Sequence, residues 1–314
     1  MIQESALPVG TVKLIDTDEY AGLLQEFAGQ IQITQVISPA AFENVDIAFF
    51  ACSPEIMRAF AATGAAMPDV SIDLTQTGRE GTLFLNGHTS LGLINPIRNA
   101  VYFVSPHPSV IVLARVLTGL QRNFPVESAS VTILEPASER GIAAIDELQE
   151  QTVRLLNFQP AESKLFKGQI AFNLLPEMEA SIATERLIRN QLTSILGESA
   201  PHLNLMMVQA PVFHSESFSM FVQFSKSSEI PSLEQVRQCL ADARGGVLIN
   251  ENPEEAPSPV SVVGSDKVHV GRISQDPVSP SSYGMWITAD NLRIAASNAF
   301  GIAESIMLSA AAPR

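Results

Sequence analysis

Residues 103–115 read Phe103-Val104-Ser105-Pro106-His107-Pro108-Ser109-Val110-Ile111-Val112-Leu113-Ala114-Arg115, and this stretch decides the fold. Tyr102–Val104 is β-prone, Ser105 is a candidate cap, and Pro108 suits a first helical turn. Val110, Ile111, Ala114 and Leu117 then recur at helical spacing, so the pattern predicts a strand running into a helix. Such a helix start offers backbone N–H groups and a positive dipole end, a setting for an anion or an activated thiol.

Upstream, Val12–Asp16, Ile31–Ile37 and Asp46–Cys52 read as short strands, with Asp18–Ala28 ambiguous. Asp46–Cys52 is nearly continuously apolar, as in a strand buried on both faces of a parallel sheet. Ser53 should cap a helix running to about Thr63, and Asp69–Leu74 is the next strand. This alternation predicts a doubly wound α/β domain, yet no GxGxxG-like turn lies near its start. Downstream, Ser128–Leu134 is a strand. Ser138–Asn157 reads as a helix with Ile142, Ile145, Leu148, Val153 and Leu156 on one face. Leu203–Pro211 and Ser217–Phe224 read as adjacent strands, Leu233–Ala243 as a helix and Val260–Ile273 as extended. Glu251–Pro259 reads as an exposed loop. Asp290–Ala310 reads as a helix capped by Asp290, with Leu292, Ala296, Ala299, Ala303 and Ile306 inward. These mixed strands predict an α+β second domain on a broad sheet.

The 314 residues suffice for two domains, and 46% hydrophobic content with a mean hydropathy of +0.18 indicates a substantial core. A formal charge of −14 argues against nucleic acid, whose phosphates need Lys and Arg patches. Two cysteines, Cys52 and Cys239, make neither a disulfide framework nor a zinc site. With no signal-like segment and no apolar run of about 18 residues, the expectation is a cytoplasmic protein without a membrane span.

Read against known families, Ser105-Pro106-His107-Pro108-Ser109-Val110-Ile111 resembles the nucleophile segment of the aspartate-semialdehyde dehydrogenase family, Asn-Pro-Asn-Cys-Ser-Thr-Ile. Val45–Phe50, Asn95-Pro96, Gly168–Pro176, Val268–Ile273 and Asp290–Ala299 resemble further segments of that family in the same order. The resemblance implies an incomplete Rossmann-like domain (1–107 plus 289–314) and an α+β dimerisation domain (108–288), with NADP as the family's cofactor.

The same resemblance sets the family's chemistry against this chain's residues. The family uses a thiolate nucleophile, a glutamine that orients the substrate, a proton-handling histidine and an arginine clamp. Pro108 stands at the thiolate position, Glu135 at the glutamine and Gln209 at the arginine. The histidine remains as His214, behind a connection two residues short, and the phosphate-cradling loop is not seen. No catalytic residue is therefore assigned, and His214 reads as a relic. The chain looks like the family's nucleophile-lacking branch: a homodimeric scaffold, regulator or binding module without a nucleotide cofactor. A protein or a small anion is left open as its ligand. The alternatives are an NAD(P)-dependent oxidoreductase with altered chemistry, or a chain whose true start supplies the glycine loop.

Other residues have simpler readings. Ser109 as a replacement nucleophile lacks an evident base, and first-turn capping suffices. Cys52 could be a low-pKa thiol, but a small buried core residue is the expectation, and Cys239 reads as filler. His107 reads as a surface histidine, Glu135 as solvated or hydrogen-bonded, and Arg272 and Arg293 as salt-bridged structural residues.

Overall fold

The computed structural model describes residues 2, 5–27, 29–64, 67–86, 101–176, 178–226, 229–243, 246–250, 252 and 256–311. The Asn95-Pro96 segment and most of 251–255 lie outside the described residues. The chain divides into two units, 1–107 with 295–314, and 108–294.

The first unit contains β1 (Ile15–Asp16), β2 (Leu24–Phe27), β3 (Gln30–Ile33), β4 (Gln35–Val36), β5 (Ile47–Phe50), α1 (Pro54–Ala62), β6 (Val70–Asp73), β7 (Thr82–Leu83) and β8 (Tyr102–Val104). Its main sheet is parallel and Rossmann-like, in the order β5-β6-β8-β7. Ile72 and Phe103, both without exposed surface, pack there against Ala299, Ile302 and Ala303. Ser53 caps α1, accepting from the Ile56 N–H. The predicted strand Ile31–Ile37 is split. Gln30–Ile33 forms a hairpin with β2, whereas Gln35–Val36 pairs parallel with β1. The ambiguous Asp18–Ala28 thus supplies a strand that the sequence reading left open.

The second unit contains α2 (Pro108–Gln121), β9 (Val126–Glu135), α3 (Ile142–Leu156), α4 (Met178–Leu196), β10 (His202–Gln209), β11 (Glu216–Phe224), α5 (Leu233–Ala241), β12 (Val247–Ile249), β13 (Val268–Gln275) and β14 (Ser282–Ala289). The last helix, α6 (Asn291–Ala311), begins in this unit and continues in the first. The sheet runs β10-β9-β11-β14-β13-β12, so β9 separates the two strands expected to be neighbours. The separation follows from the pairing chemistry: β9 runs parallel to β10 but antiparallel to β11. α2 packs between α4 and α5 over this sheet. Val110, Ile111, Val112, Leu113, Val116, Leu117 and Leu120 have no exposed surface, each burial contributing about 1.5–3 kcal/mol. Gly119 lets α5 come close, since a Cβ there would lie 2.9 Å from that of Ala243.

Several local expectations are corrected. Ser105 does not cap α2, because its Oγ accepts from Asn298 Nδ2 at 2.9 Å. The predicted helix Ser138–Asn157 is broken: Ala137–Arg140 is a 3-10 turn, Gly141 sits at φ +87°, and α3 starts after it. Only glycine takes that backbone conformation without strain, so the break is set by sequence. α3 buries Ala144, Glu147, Leu148 and Gln151, leaving Ile142, Val153 and Leu156 exposed. In α6, Leu292 is exposed and Ile294 buried, whereas Asp290 does cap the helix through the Arg293 N–H. The extended segment expected from Val260 begins only at Val268. In the expected exposed loop, Pro257 is buried, and its carbonyl accepts from Trp286 and Thr288.

Candidate functional site

Within the second unit, three strands end side by side next to the start of α2. Gln209 and Glu135 are in register at the ends of β10 and β9. The pair Ser217–Leu134 places Glu216, first residue of β11, opposite Glu135. All three side chains point to the helix-covered face, and each is at most 8% exposed. Pro108 opens α2, which gives that position neither a nucleophile nor an N–H. The next residue, Ser109, donates from Oγ to Glu216 Oε1 at 2.8 Å. Ser109 is therefore a buried partner of a carboxyl, not the first-turn cap expected from sequence.

The 3-10 turn and the loop 210–215 are laced together by Ala137 N to Val212 O (2.8 Å) and Ser138 N to Phe213 O (2.9 Å). This brings Glu139 and Asn291 to the site. Asn291 Nδ2 donates to Glu139 Oε2 at 2.8 Å, and its Oδ1 accepts from Ser138 Oγ and the Ser215 N–H. Arg140 reaches Glu135 Oε2 at 3.3 Å and lies over the Phe166 ring. Gln209 donates to the backbone carbonyl of Glu135 at 2.8 Å, and its own Oε1 is buried without a partner among the described residues. His214 is half-buried in the bend before β11, followed by Ser215 at φ +74°.

Burial, reinforced by the neighbouring Glu139 and Glu135, pushes the Glu216 carboxyl well above the usual carboxylate range. The Ser109 hydrogen bond opposes this only in part. Burial also raises Glu139, against the pull of Asn291. Burial of this kind favours the neutral acid, which is a poor base for Ser109. Arg115, nearly two turns further along α2, is pushed down to about 10 by burial, with Asp266 opposing.

The remaining sequence candidates lie elsewhere. Cys239 is buried on α5 and takes a contact from Asn123 Nδ2. Cys52, half-buried after β5, has its thiol pushed up by burial, the opposite of a low-pKa thiol. His107 is 4% exposed, not a surface residue, because the whole turn from Ser105 into α2 is enclosed. Arg293 donates from Nε to the Gly264 carbonyl at 3.0 Å, and Arg272 is exposed where the β13–β14 ladder slips. Sequence reasoning missed Glu216, Glu139 and Asn291. A signal existed for Glu216: Phe218, Met220, Val222 and Phe224 alternate inward, which puts Glu216 on the same face.

In the first unit, Asp73 ends β6 and accepts from Thr75 N (2.7 Å), Thr75 Oγ1 (2.5 Å) and Tyr102 Oη (2.6 Å), while Arg79 stacks on the Tyr102 ring. Among the described residues no group of three His, Cys, Asp or Glu side chains could hold a metal ion, and no helix is long and apolar enough to cross a membrane.

Residues 117–294 match the family of semialdehyde dehydrogenase dimerisation domains. An aspartate-semialdehyde dehydrogenase of Rickettsia bellii is 28% identical over 98% of this chain and 92% of its own length. A Pseudomonas aeruginosa protein named a USG-1 protein homolog is 30% identical over 93% of this chain and 88% of its own length. The solved structure of a probable aspartate-semialdehyde dehydrogenase from Pseudomonas aeruginosa superposes with a TM-score of 0.83 at 28% identity. It covers 96% of this chain and 91% of that one.

Proposed function

Because the chain belongs to the aspartate-semialdehyde dehydrogenase family, we propose that it is a catalytically silent member, a cytoplasmic homodimer serving as a scaffold, regulator or binding module. In this reading residues 108–288 carry self-association. Residues 1–107 with 289–314 keep the Rossmann-like architecture without using it for a nucleotide. Pro108 is the observation that carries the reading. Family chemistry needs a thiolate at the helix start, and a proline there can neither attack an aldehyde nor donate an N–H. The surroundings support it. Gln209 spends its amide on the sheet, and Glu135 and Glu216 place carboxyls where an anionic substrate would need cations. His214 remains as a relic of the family's base.

The test is a turnover assay with aspartate semialdehyde, phosphate and NADP, followed by NADPH formation, beside intact-mass analysis of protein exposed to the aldehyde. No turnover above the uncatalysed background and no covalent adduct are expected. Enzyme-dependent NADPH or an acyl adduct at any residue would overturn the reading.

A further inference from the structure

Three carboxyls, those of Glu135, Glu139 and Glu216, gather at this end of the sheet. Glu216 has no exposed surface; Ser109 donates to its Oε1, and its Oε2 has no partner among the described residues. A carboxylate buried this way leaves one oxygen neither solvated nor hydrogen-bonded, whereas a neutral acid carries no charge to solvate. Glu139 from the 3-10 turn and Glu135 at the end of β9 lie close enough to act on it; Arg140 follows Glu139 and pairs with Glu135, and His214 precedes Glu216 by two residues in the chain. Asp290 follows β14, its oxygens taken by the Arg293 and Gly264 N–H groups. Arg140 engages Glu135, so its charge is committed. Like charges opposite one another on neighbouring strands repel, and Glu216 faces Glu135 in that way. Glu139 keeps some exposed surface and Glu216 none, so Glu216 is the costlier of the two to ionise.

We propose that this end of the sheet is a proton-holding site: Glu216 stays protonated between Ser109, Glu139 and Glu135, and losing that proton loosens the join between α2, β11 and the 3-10 turn. The raised affinity of the enclosed carboxyl for a proton agrees with this geometry. The sign follows from linkage. The folded chain binds a proton that the unfolded chain has released, so stability falls as pH rises from the ordinary glutamate range toward the folded-state value. The proposal is independent of whether the chain turns over a substrate.

The test is urea unfolding of the wild type, Glu216→Gln and the exposed control Glu127→Gln, at several pH values between about 5 and about 9. The folding constant of the wild type should fall by up to about tenfold per pH unit over part of that range. Glu216→Gln should flatten the profile and be the more stable protein at the alkaline end, while Glu127→Gln should track the wild type. A Glu216→Gln profile parallel to the wild type would overturn the proposal. If that variant does not fold, the wild type alone decides by infrared spectroscopy. A protonated carboxylic acid carbonyl band at neutral pH, lost on alkaline titration, is expected, and its absence at neutral pH would sink the idea. Amide exchange in the first turn of α2, corrected for intrinsic rates, should speed up in the wild type over the range where the band is lost. Unchanged exchange would refute the loosening.

Discussion

Gln209 and Glu135 end neighbouring parallel strands at the same level, and the Gln209 amide closes on the Glu135 backbone carbonyl at 2.8 Å. A side chain committed to the sheet in this way is not poised to clamp a ligand. On the proposed reading, placing an arginine at position 209 should therefore not create a clamp. Gln209→Arg forces a longer, charged side chain into a position that is 2% exposed, and overpacking of this kind costs about 1–3 kcal/mol. The double variant Pro108→Cys with Gln209→Arg should show no NADPH formation from aspartate semialdehyde. Urea unfolding checks the first expectation and the turnover assay the second. Recovered activity in the double variant would mean that the carboxyls around Glu216 are no obstacle.

Nucleotide binding is expected to be weak. In open parallel sheets, dinucleotides sit at the carboxyl ends of the strands with their phosphates on a helix N-terminus. The helix start after β5 is already occupied: Ser53 takes the Ile56 N–H, Pro54 has none, and Glu55 adds a negative charge in the first turn. Asp73, at the end of β6, is a second carboxylate on that edge. Calorimetric titration with NADP and with NAD should show no saturable binding tighter than about 0.1 mM. A micromolar dissociation constant for either would contradict this.

The elements most legible in the sequence were those with a local cause. Tyr102–Val104 running into Pro108 shows both its strand and its helix start, and Ser53 announces its cap. Strand order was not legible, because the insertion of β9 between β10 and β11 is decided by pairing across the chain. α3 was misread at its start because Ser138–Asn157 keeps helical spacing through Gly141, and the break is a backbone effect carried by one residue. The site shows the same division. Pro108, Glu135 and Gln209 were singled out in the sequence by the resemblance alone, and the structure sets Glu135 and Gln209 in register at their strand ends. The bond from Asn291 to Glu139 joins segments remote in sequence, and no periodicity reports it. The burial of His107 escaped for a related reason, since the polar Ser-Pro-His-Pro run reads as surface although the fold encloses it.

Gln151 should be a stability hot spot of α3. With no exposed surface, it accepts the N–H groups of Ile170 (2.8 Å) and Ala171 (3.2 Å) and donates to Glu147 Oε1 at 3.0 Å. Glu147 in turn accepts from the Lys164 and Leu165 N–H groups. The pair therefore fixes the loop that carries Phe166, Ile170 and Ala171 into the core against Leu148. Gln151→Leu keeps the volume but orphans two buried N–H groups, at about 1–3 kcal/mol each. A lower urea midpoint and faster proteolysis within 162–171 are expected. An unchanged midpoint with unchanged protection would show that the loop is held by packing alone.

The last expectation concerns self-association. Ile142, Val153 and Leu156 form an exposed apolar stripe on α3. Phe158 (99% exposed), Phe172 and Leu174 add large apolar side chains from the segment that follows. Single exposed apolar residues are ordinary, but six large ones within residues 142–174 point to an interaction surface. All six lie within the residues that match the dimerisation-domain family. A two-fold interface built from such a set is self-complementary, and obligate examples usually bury more than about 2,000 Å². Light scattering over a dilution series should give twice the mass of one chain down to micromolar concentration. Leu156→Glu with Phe172→Glu should shift the protein toward monomer with little change in the urea midpoint measured at high dilution, because neither side chain is buried within the single chain. A one-chain mass for the wild type at micromolar concentration would refute the obligate dimer. A double variant that stays dimeric would place the interface elsewhere.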